Sequence, residues 1–450
     1  MTRNVLVLGA GQSSPFLIKY LLDNAEENNW FVTVGDRDLK LAQSRIKNHP
    51  RGLALRFDIN DSEMRKSQIS KADVVVNMLA PMFQEMVALE CVHHNSHMIS
   101  VSYEGRRIRD LETDAQRKGL LILTEIGLDP GIDHMAAAAM IDTIREKEGV
   151  VKSFESYGGG LPALDSLINP LKYVISWNPR NVVMAGESGA QYLKNGKIKI
   201  IPHHYVFLHS WNMDVDGLGV MEAYPNRDSL NYKSLYGFEN ADTVIRGTLR
   251  YPGWSETWFQ IVRLGLPNEE QIIPNLKSYS WAELTEMFLP MQTSGATIEA
   301  RTANYLGLSP TGTIMSNLRW LGLFSTEKIG VDVETSTEAM THLINTKLKL
   351  TADARDMVVL VHRMLVEYAT DNKKELYTAS MIYNGERGGY TAMSKTVGLP
   401  AAIVAKLLMR HELPLTGCHI PTHPAIYQPV LSELKEYGIT FSEKVEELQD

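Results

Sequence analysis

Short apolar runs alternate with amphipathic stretches through the first third of the chain. Val5–Leu8 is an apolar run ended by Gly9, and Phe16, Leu17, Tyr20 and Leu21 follow at helical spacing. Trp30–Val34 and Leu53–Phe57 read as the next two strands, and Ser62–Ser70 as a helix before a fourth strand at Asp73–Met78. Met82–His94 reads as a helix before Met98–Val101, and Arg107–Lys118 as a helix before a sixth strand at Leu120–Thr124. Near-continuous apolar strands alternating with helices predict an α/β fold whose parallel sheet is covered on both faces. Ligands of such a sheet lie beyond the carboxyl ends of its strands. Gly9–Ser14, Asp36–Arg37, Asp58, Asn77, Ser102–Tyr103 and Asp129 fall at those ends.

The pattern changes near Val150. Ser153–Tyr157 reads as a strand running into Gly158–Gly160, and Tyr173–Trp177 as another after Asn169-Pro170-Leu171. Short strands among Gly, Pro and aromatic residues indicate antiparallel sheet. Met357–Tyr368 and Glu375–Tyr383 read as a hairpin joined by the polar Thr370–Lys374. Trp281–Leu289, Thr297–Leu306, Thr313–Leu323 and Thr335–Leu348 form a helical insert by their periodicity, and Tyr390–Met409 is a Gly- and Ala-rich amphipathic helix region.

Composition narrows the function classes. A chain of 450 residues with a net charge of −8 carries no basic footprint for nucleic acid. No apolar run approaches the roughly 18–20 residues of a membrane span, and no leader precedes Val5, so neither a membrane nor an export route is expected. Cys91 and Cys418 make no disulfide framework, which suits a cytoplasmic protein. His93, His94 and His97 sit at a helix-to-strand junction without a matching second half, and Cys418 lacks a CxxC partner, so no metal site is expected.

Gly9 and Gly11 permit the tight turn and close backbone approach that a pyrophosphate needs at a helix N-terminus, with Gln12 and Ser13 completing the loop. Ser14 stands where a third glycine would, which loosens helix–strand packing only slightly. Asp36 ends the second strand, where a carboxylate accepts hydrogen bonds from both adenosine ribose hydroxyls. The same charge repels a 2′-phosphate, so NAD is the expected cofactor and NADP the alternative; Arg37 beside it is suited to stack on adenine or pair with a phosphate. Arg227 and Arg250 are expected in loops with Pro, Asn and Gly rather than on a charged helix face, and point to a substrate with several carboxylates.

The chain resembles the saccharopine dehydrogenase family of the glutamate-forming type. The matching stretches run in order from Gly127-Leu-Asp-Pro-Gly-Ile-Asp-His134 through Ser156-Tyr-Gly-Gly-Gly-Leu-Pro162, Asn169-Pro-Leu171 and Tyr224-Pro-Asn-Arg-Asp-Ser229. They continue through Arg246-Gly-Thr-Leu-Arg-Tyr251 to Ala392-Met-Ser-Lys-Thr-Val-Gly-Leu-Pro400. The resemblance implies a Rossmann dinucleotide-binding domain at 1–129 completed by the C-terminal tail at 390–450. It also implies a mixed α+β substrate and dimerisation domain at 130–280 and 350–389, with a helical insert at 281–349, and hence a homodimer. It places the nucleotide at Gly11–Ser13, Asp36, Arg37, Asp58 and the Leu128-Asp129-Pro130 corner. Saccharopine is placed at Ser102, Tyr103, Asp129, Arg227, Thr248, Leu249 and Arg250. Departures from the family pattern fall at Leu79-Ala80-Pro81, Glu104–Arg107, Gly158 and Asn178.

The implied activity is NAD(P)-dependent oxidation of saccharopine to glutamate and 2-aminoadipate 6-semialdehyde, a step of lysine metabolism. The expected chemistry is loss of hydride from the glutamate-side carbon, with Asp129 and Tyr103 as candidate catalytic groups for the proton transfers. A carboxyspermidine-type dehydrogenase and a non-catalytic NAD-sensing protein are the alternatives.

Overall fold

The computed structural model describes residues 2–369 and 373–448. The chain divides into two compact units, residues 1–149 with 381–442 and residues 150–380 with 443–450. The first unit opens with strands β1 (Arg3–Leu8), β2 (Trp30–Asp36), β3 (Gly52–Arg56), β4 (Val74–Asn77), β5 (His97–Ser100) and β6 (Leu121–Leu123). Then come β7 (Gly149–Pro162), β8 (Ala190–Lys194), β9 (Lys197–Ile201), β10 (Trp211–Val215), β11 (Gly219–Pro225), β12 (Thr243–Arg250), β13 (Asp356–Tyr368) and β14 (Lys373–Asn384). β15 (Gly417–His419) returns to the first unit and β16 (Ser442–Leu448) closes the chain.

The first sheet runs β15-β6-β5-β4-β1-β2-β3 with every neighbouring pair parallel. Its order reverses between β1 and β4, the switch point at which a doubly wound sheet binds its ligand. The four residues of β4 are all buried, as expected of a strand covered on both faces. A helix at Leu39–Ile46, which the periodicity did not reveal, starts where the Asp38 carboxylate accepts the amides of Lys40 and Leu41.

The helix Ala392–Met409 packs along the helix Pro15–Asp23. A Cβ at Gly398 would stand 2.9 Å from the Leu17 Cβ, so the close approach needs that glycine. The expectation that no apolar run reaches membrane-span length needs correction here. This helix has 18 residues and a mean hydropathy of 1.3, but 83% of it is buried, as a core helix of its unit.

The second sheet runs β10-β11-β12-β7-β13-β14-β16, with β8 joined to β12 and β9 to β8. The expected antiparallel arrangement holds for β10–β11–β12, but β12 and β7 are parallel, so the sheet is mixed. β13 and β14 are neighbours, as expected of the hairpin; residues 370–372 of its Thr370–Lys374 connection lie outside the described residues. Tyr173–Trp177 is not a strand. The Asn169 side chain donates to the Tyr173 carbonyl at 2.6 Å, and a single bridge links Ile175 to Lys349. Helices at Trp281–Met287, Ile298–Leu306, Thr313–Leu321 and Ser336–Lys347 follow, the first and last opened by reciprocal caps at Ser280–Glu283 and Thr335–Glu338.

Candidate active site

Gly9 leaves β1 at φ +103°, and a Cβ there would come within 3.1 Å of the Met78 carbonyl oxygen. A Cβ at Gly11 would meet nothing within 4 Å, so the loop keeps an open face. Gln12 and Arg37 are exposed and Ser13 half-buried. The Asp36 carboxylate accepts the Ala10 amide at 2.7 Å and the Asp38 amide at 2.9 Å. A carboxylate has about four lone-pair sites, so capacity remains for a ligand. Arg45 donates to the Ala10 carbonyl from the other side at 3.1 Å, and burial lowers its pKa. Asp58 lies just beyond β3, where its Oδ1 accepts the Asn60 amide at 3.0 Å.

Asn77 ends β4 directly across the switch point from Leu8 and is fully buried. Its Oδ1 accepts the Leu79 amide at 3.2 Å, while its Nδ2 has no partner among the described residues. An orphaned buried donor at the end of β4, next to the strand that leads into the glycine turn, fits the oxygen-rich chemistry of a dinucleotide.

Tyr103 and Asp129 come together: the Tyr103 hydroxyl donates to Asp129 Oδ1 at 3.1 Å. Asp129 sits in a tight turn in which the Gly127 amide donates to the Pro130 carbonyl at 2.9 Å, and the Asp129–Pro130 peptide is cis. Gly131 at φ +146° closes the turn, since a Cβ there would lie 2.1 Å from the Gly127 oxygen. Asp129 does not cap the helix Ile132–Glu146. Gly131 takes that position, and Asp133 Oδ1 accepts its amide at 2.5 Å.

The backbone on both sides of Tyr103 is pinned by Glu125, which no pattern in the sequence singles out. Its amide donates to the Ser102 carbonyl at 3.1 Å, and its Oε1 accepts the Glu104 amide at 2.9 Å. Its Oε2 lies 2.7 Å from Nε2 of the fully buried His134. Glu104 pairs with Arg109 at 2.8 Å, and burial raises its pKa against the pull of that guanidinium.

In the second unit, Arg250 is not in a loop as expected but ends the buried strand β12, paired opposite Glu222 of β11. Glu222 accepts the amides of Gly253 at 3.0 Å and Ser255 at 2.7 Å, so its oxygens serve the start of the helix Trp254–Leu264. Arg250 is 5% exposed, donates Nη1 to the Leu249 carbonyl at 2.8 Å, and leaves Nε without an acceptor among the described residues. Its Cζ stands 4.9 Å from the Tyr173 ring centre, 5.7 Å from that of Trp254 and 5.8 Å from that of Tyr224. Burial raises the Tyr224 pKa, opposed by the Arg250 charge.

Thr248 lies beside Gly158 of β7, and Leu249 is fully buried. Arg227 is exposed at φ +53°, with its carbonyl accepting the Gln191 amide at 2.9 Å. Asn178 caps the helix Pro179–Val183 through the Arg180 amide at 3.0 Å. Among the described residues no group of three or more His, Cys, Asp or Glu is placed to hold a metal ion.

A parallel sheet in this strand order, with a glycine turn at its switch point and a carboxylate ending β2, defines a dinucleotide-binding protein of the Rossmann class. Residues 5–123 match the family model described as the saccharopine dehydrogenase NADP binding domain, and residues 127–439 that of the saccharopine dehydrogenase C-terminal domain. The chain belongs to the saccharopine dehydrogenase family. It is 34% identical over 454 residues to saccharopine dehydrogenase [NADP(+), L-glutamate-forming] of Saccharomyces cerevisiae, covering 99% of each chain. It is 32% identical to the mitochondrial alpha-aminoadipic semialdehyde synthase of Mus musculus, covering 98% of this chain but 47% of that protein, so it spans about half of such a relative. Its structure resembles that of apo saccharopine dehydrogenase (L-Glu forming) from Saccharomyces cerevisiae, with a TM-score of 0.86 and 32% identity over 99% of this chain and 100% of that one.

Proposed function

We propose that the chain oxidises saccharopine at its secondary amine, using a nicotinamide dinucleotide and water, to L-glutamate and 2-aminoadipate 6-semialdehyde. The observation that carries the reading is the Tyr103–Asp129 pair at 3.1 Å on the ligand-binding edge of the parallel sheet. Bound nicotinamide supplies the hydride acceptor. Atom balance corrects one expectation. Glutamate leaves with its own Cα–N bond intact, so the hydride departs from the aminoadipate-side carbon that becomes the aldehyde, not from the glutamate side. Water adds to that carbon of the resulting imine, and the C–N bond breaks with nitrogen leaving on glutamate.

Asp129 is the group we assign to take the amine proton and then the proton of the attacking water, with the Tyr103 hydroxyl holding its carboxylate in place. Arg227 and Arg250 receive substrate carboxylates, with Thr248 and Leu249 shaping the strand end and Ser102 the loop before Tyr103. Gly9, Gly11, Gln12 and Ser13 cradle the pyrophosphate with Leu128 and Pro130 at the nicotinamide end, while Asp36, Arg37 and Asp58 face the adenosine.

Asp36 supports NAD over NADP, because a charge fixed by two backbone amides repels a 2′-phosphate. The matched NADP binding domain and the names of the relatives favour NADP, and competitive titration of the two decides. A homodimer is supported by the exposed Ile198 and Ile200 on β9, and a cytoplasmic setting by two buried free cysteines.

The test is product analysis with saccharopine under both cofactors. Glutamate with a semialdehyde is the expected result. Lysine with 2-oxoglutarate would reverse the orientation of the cleaved bond. Turnover of a carboxyspermidine-type adduct alone would replace the substrate, and cofactor binding without turnover of either would favour a sensor.

A further inference from the structure

Beside Arg250 the second unit holds another buried donor with no acceptor among the described residues. Trp254 is 2% exposed, yet its Nε1–H has no hydrogen-bond partner among the described residues. Buried indole N–H groups ordinarily find one. The ring is held on two sides, 4.4 Å from the Tyr173 ring centre and stacked at 4.6 Å and 10° on Trp258. The guanidinium carbon of Arg250 lies 5.7 Å from the same ring, with Nε equally unmatched. The nearest carboxylate in the strand register, Glu222, accepts the amides of Gly253 and Ser255, and neither Arg250 Nε nor Trp254 Nε1 has a hydrogen-bond partner among the described residues. Two unmatched donors, one of them cationic, in a rigid aromatic setting call for an anionic acceptor.

We propose that Trp254 is a further substrate-binding residue. Its Nε1–H and the Nε–H of Arg250 together receive one carboxylate of the substrate. Tyr173 and Trp258 fix the indole so that little side-chain entropy is lost on binding. The helix that begins at Trp254 is held by Glu222, which places the indole in register with the end of β12. This rests on the reading of the substrate as a multi-carboxylate amino acid, and the experiment separates the two.

The test uses the full chain and Trp254→Phe, which keeps an aromatic face against Tyr173 and removes only the donor. Saccharopine affinity, measured by calorimetry, should fall about tenfold, the scale of one hydrogen bond to a charged group, while dinucleotide affinity stays unchanged. The chain has seven tryptophans, so the indole N–H resonance missing from the variant assigns Trp254 in the wild type. That resonance should move downfield with saccharopine and stay in place with dinucleotide alone. If the variant does not fold, Trp254→Tyr supplies the assignment. Equal saccharopine binding by wild type and variant, or an indole resonance indifferent to saccharopine, would overturn the role of Trp254 while leaving the dehydrogenase reading intact. Trp254-dependent binding without turnover would keep the carboxylate site and overturn the reaction instead.

Discussion

Asp36 and Asp129 reach the functional edge of the first sheet with oxygens already engaged by the protein, while Arg250 in the second unit is buried with Nε–H unmatched. The difference separates two ways of preparing a site. A carboxylate held by backbone amides or a tyrosine hydroxyl is aimed before any ligand arrives, and little reorganisation remains for the reaction step. A buried guanidinium without an anionic partner is unfavourable in the free protein, and an arriving carboxylate removes that penalty. The first arrangement serves proton transfer and placement; the second stores binding energy at the expense of fold stability.

The largest effect is expected at Asp129. Asp129→Asn keeps the shape and the acceptor for Tyr103 but cannot take a proton, so kcat should fall by about 10²–10⁴. The melting temperature should hold, because Gly131 and Asp133, not Asp129, organise the helix start. A variant with normal kcat would remove Asp129 from the chemistry and leave the corner as a structural turn.

Arg250 supplies the opposite pattern. Arg250→Met keeps volume and loses charge, and kcat/KM for saccharopine should fall about 10²-fold, within the range for losing one partner of a buried charged contact. Because Arg250 Nε has no acceptor among the described residues, the melting temperature should stay level or rise. Arg250→Lys should rescue only in part, since a point charge does not reproduce the guanidinium fork. Wild-type kcat/KM in the Met variant, or a melting temperature lower by many degrees, would erase the contrast between the units.

The third effect is a ratio. Asp36→Ser should narrow or reverse the preference of NAD over NADP, read by fluorescence titration of both. Affinity for both falls slightly as well, because the Ala10 amide loses its carboxylate. A wild type that prefers NADP tenfold, about 1.4 kcal/mol, would show that the fixed charge of Asp36 is not what selects the cofactor.

The first unit was legible because its information is local. Apolar period, the glycine turn and an acidic strand end lie within the first 36 residues and each has one structural meaning. What escaped was carried by distance. Ser394 accepts the Phe16 amide on its hydroxyl oxygen from 378 positions away, and Gly398 admits Leu17. Glu125 pins the backbone around Tyr103 and lies in no pattern that marks it, while His134, which ends the Gly127–His134 stretch, gives no local sign that it pairs with Glu125. In the second unit local pattern misled. Tyr173–Trp177 has strand composition, but Asn169 captures the Tyr173 carbonyl before a ladder forms. Trp254 belongs to none of the motifs read from the sequence, and the lack of an acceptor for its N–H among the described residues is what distinguishes it.

The smallest effect tests whether a polar group satisfied at the other edge of the first sheet serves only the fold. His97 begins β5, and its Nδ1 accepts the Leu121 amide at 3.0 Å, which requires an unprotonated nitrogen. Burial lowers its pKa, the His411 ring adds to the effect, and Asp73 opposes it. In the unfolded chain the imidazole titrates near its ordinary value, about 6.5. Below that pH the unfolded chain takes up a proton that the folded chain does not, so stability is fully present above about pH 6.5 and declines as pH falls toward the folded pKa. His97→Asn retains an acceptor and does not titrate. Between pH 7.5 and 5.5 the melting temperature of the wild type should therefore drop more than that of the variant, with kcat/KM unchanged at pH 7.5. Parallel melting curves would show that His97 does not carry the acid sensitivity; a loss of kcat/KM would show that this edge of the sheet is coupled to the chemistry at the other.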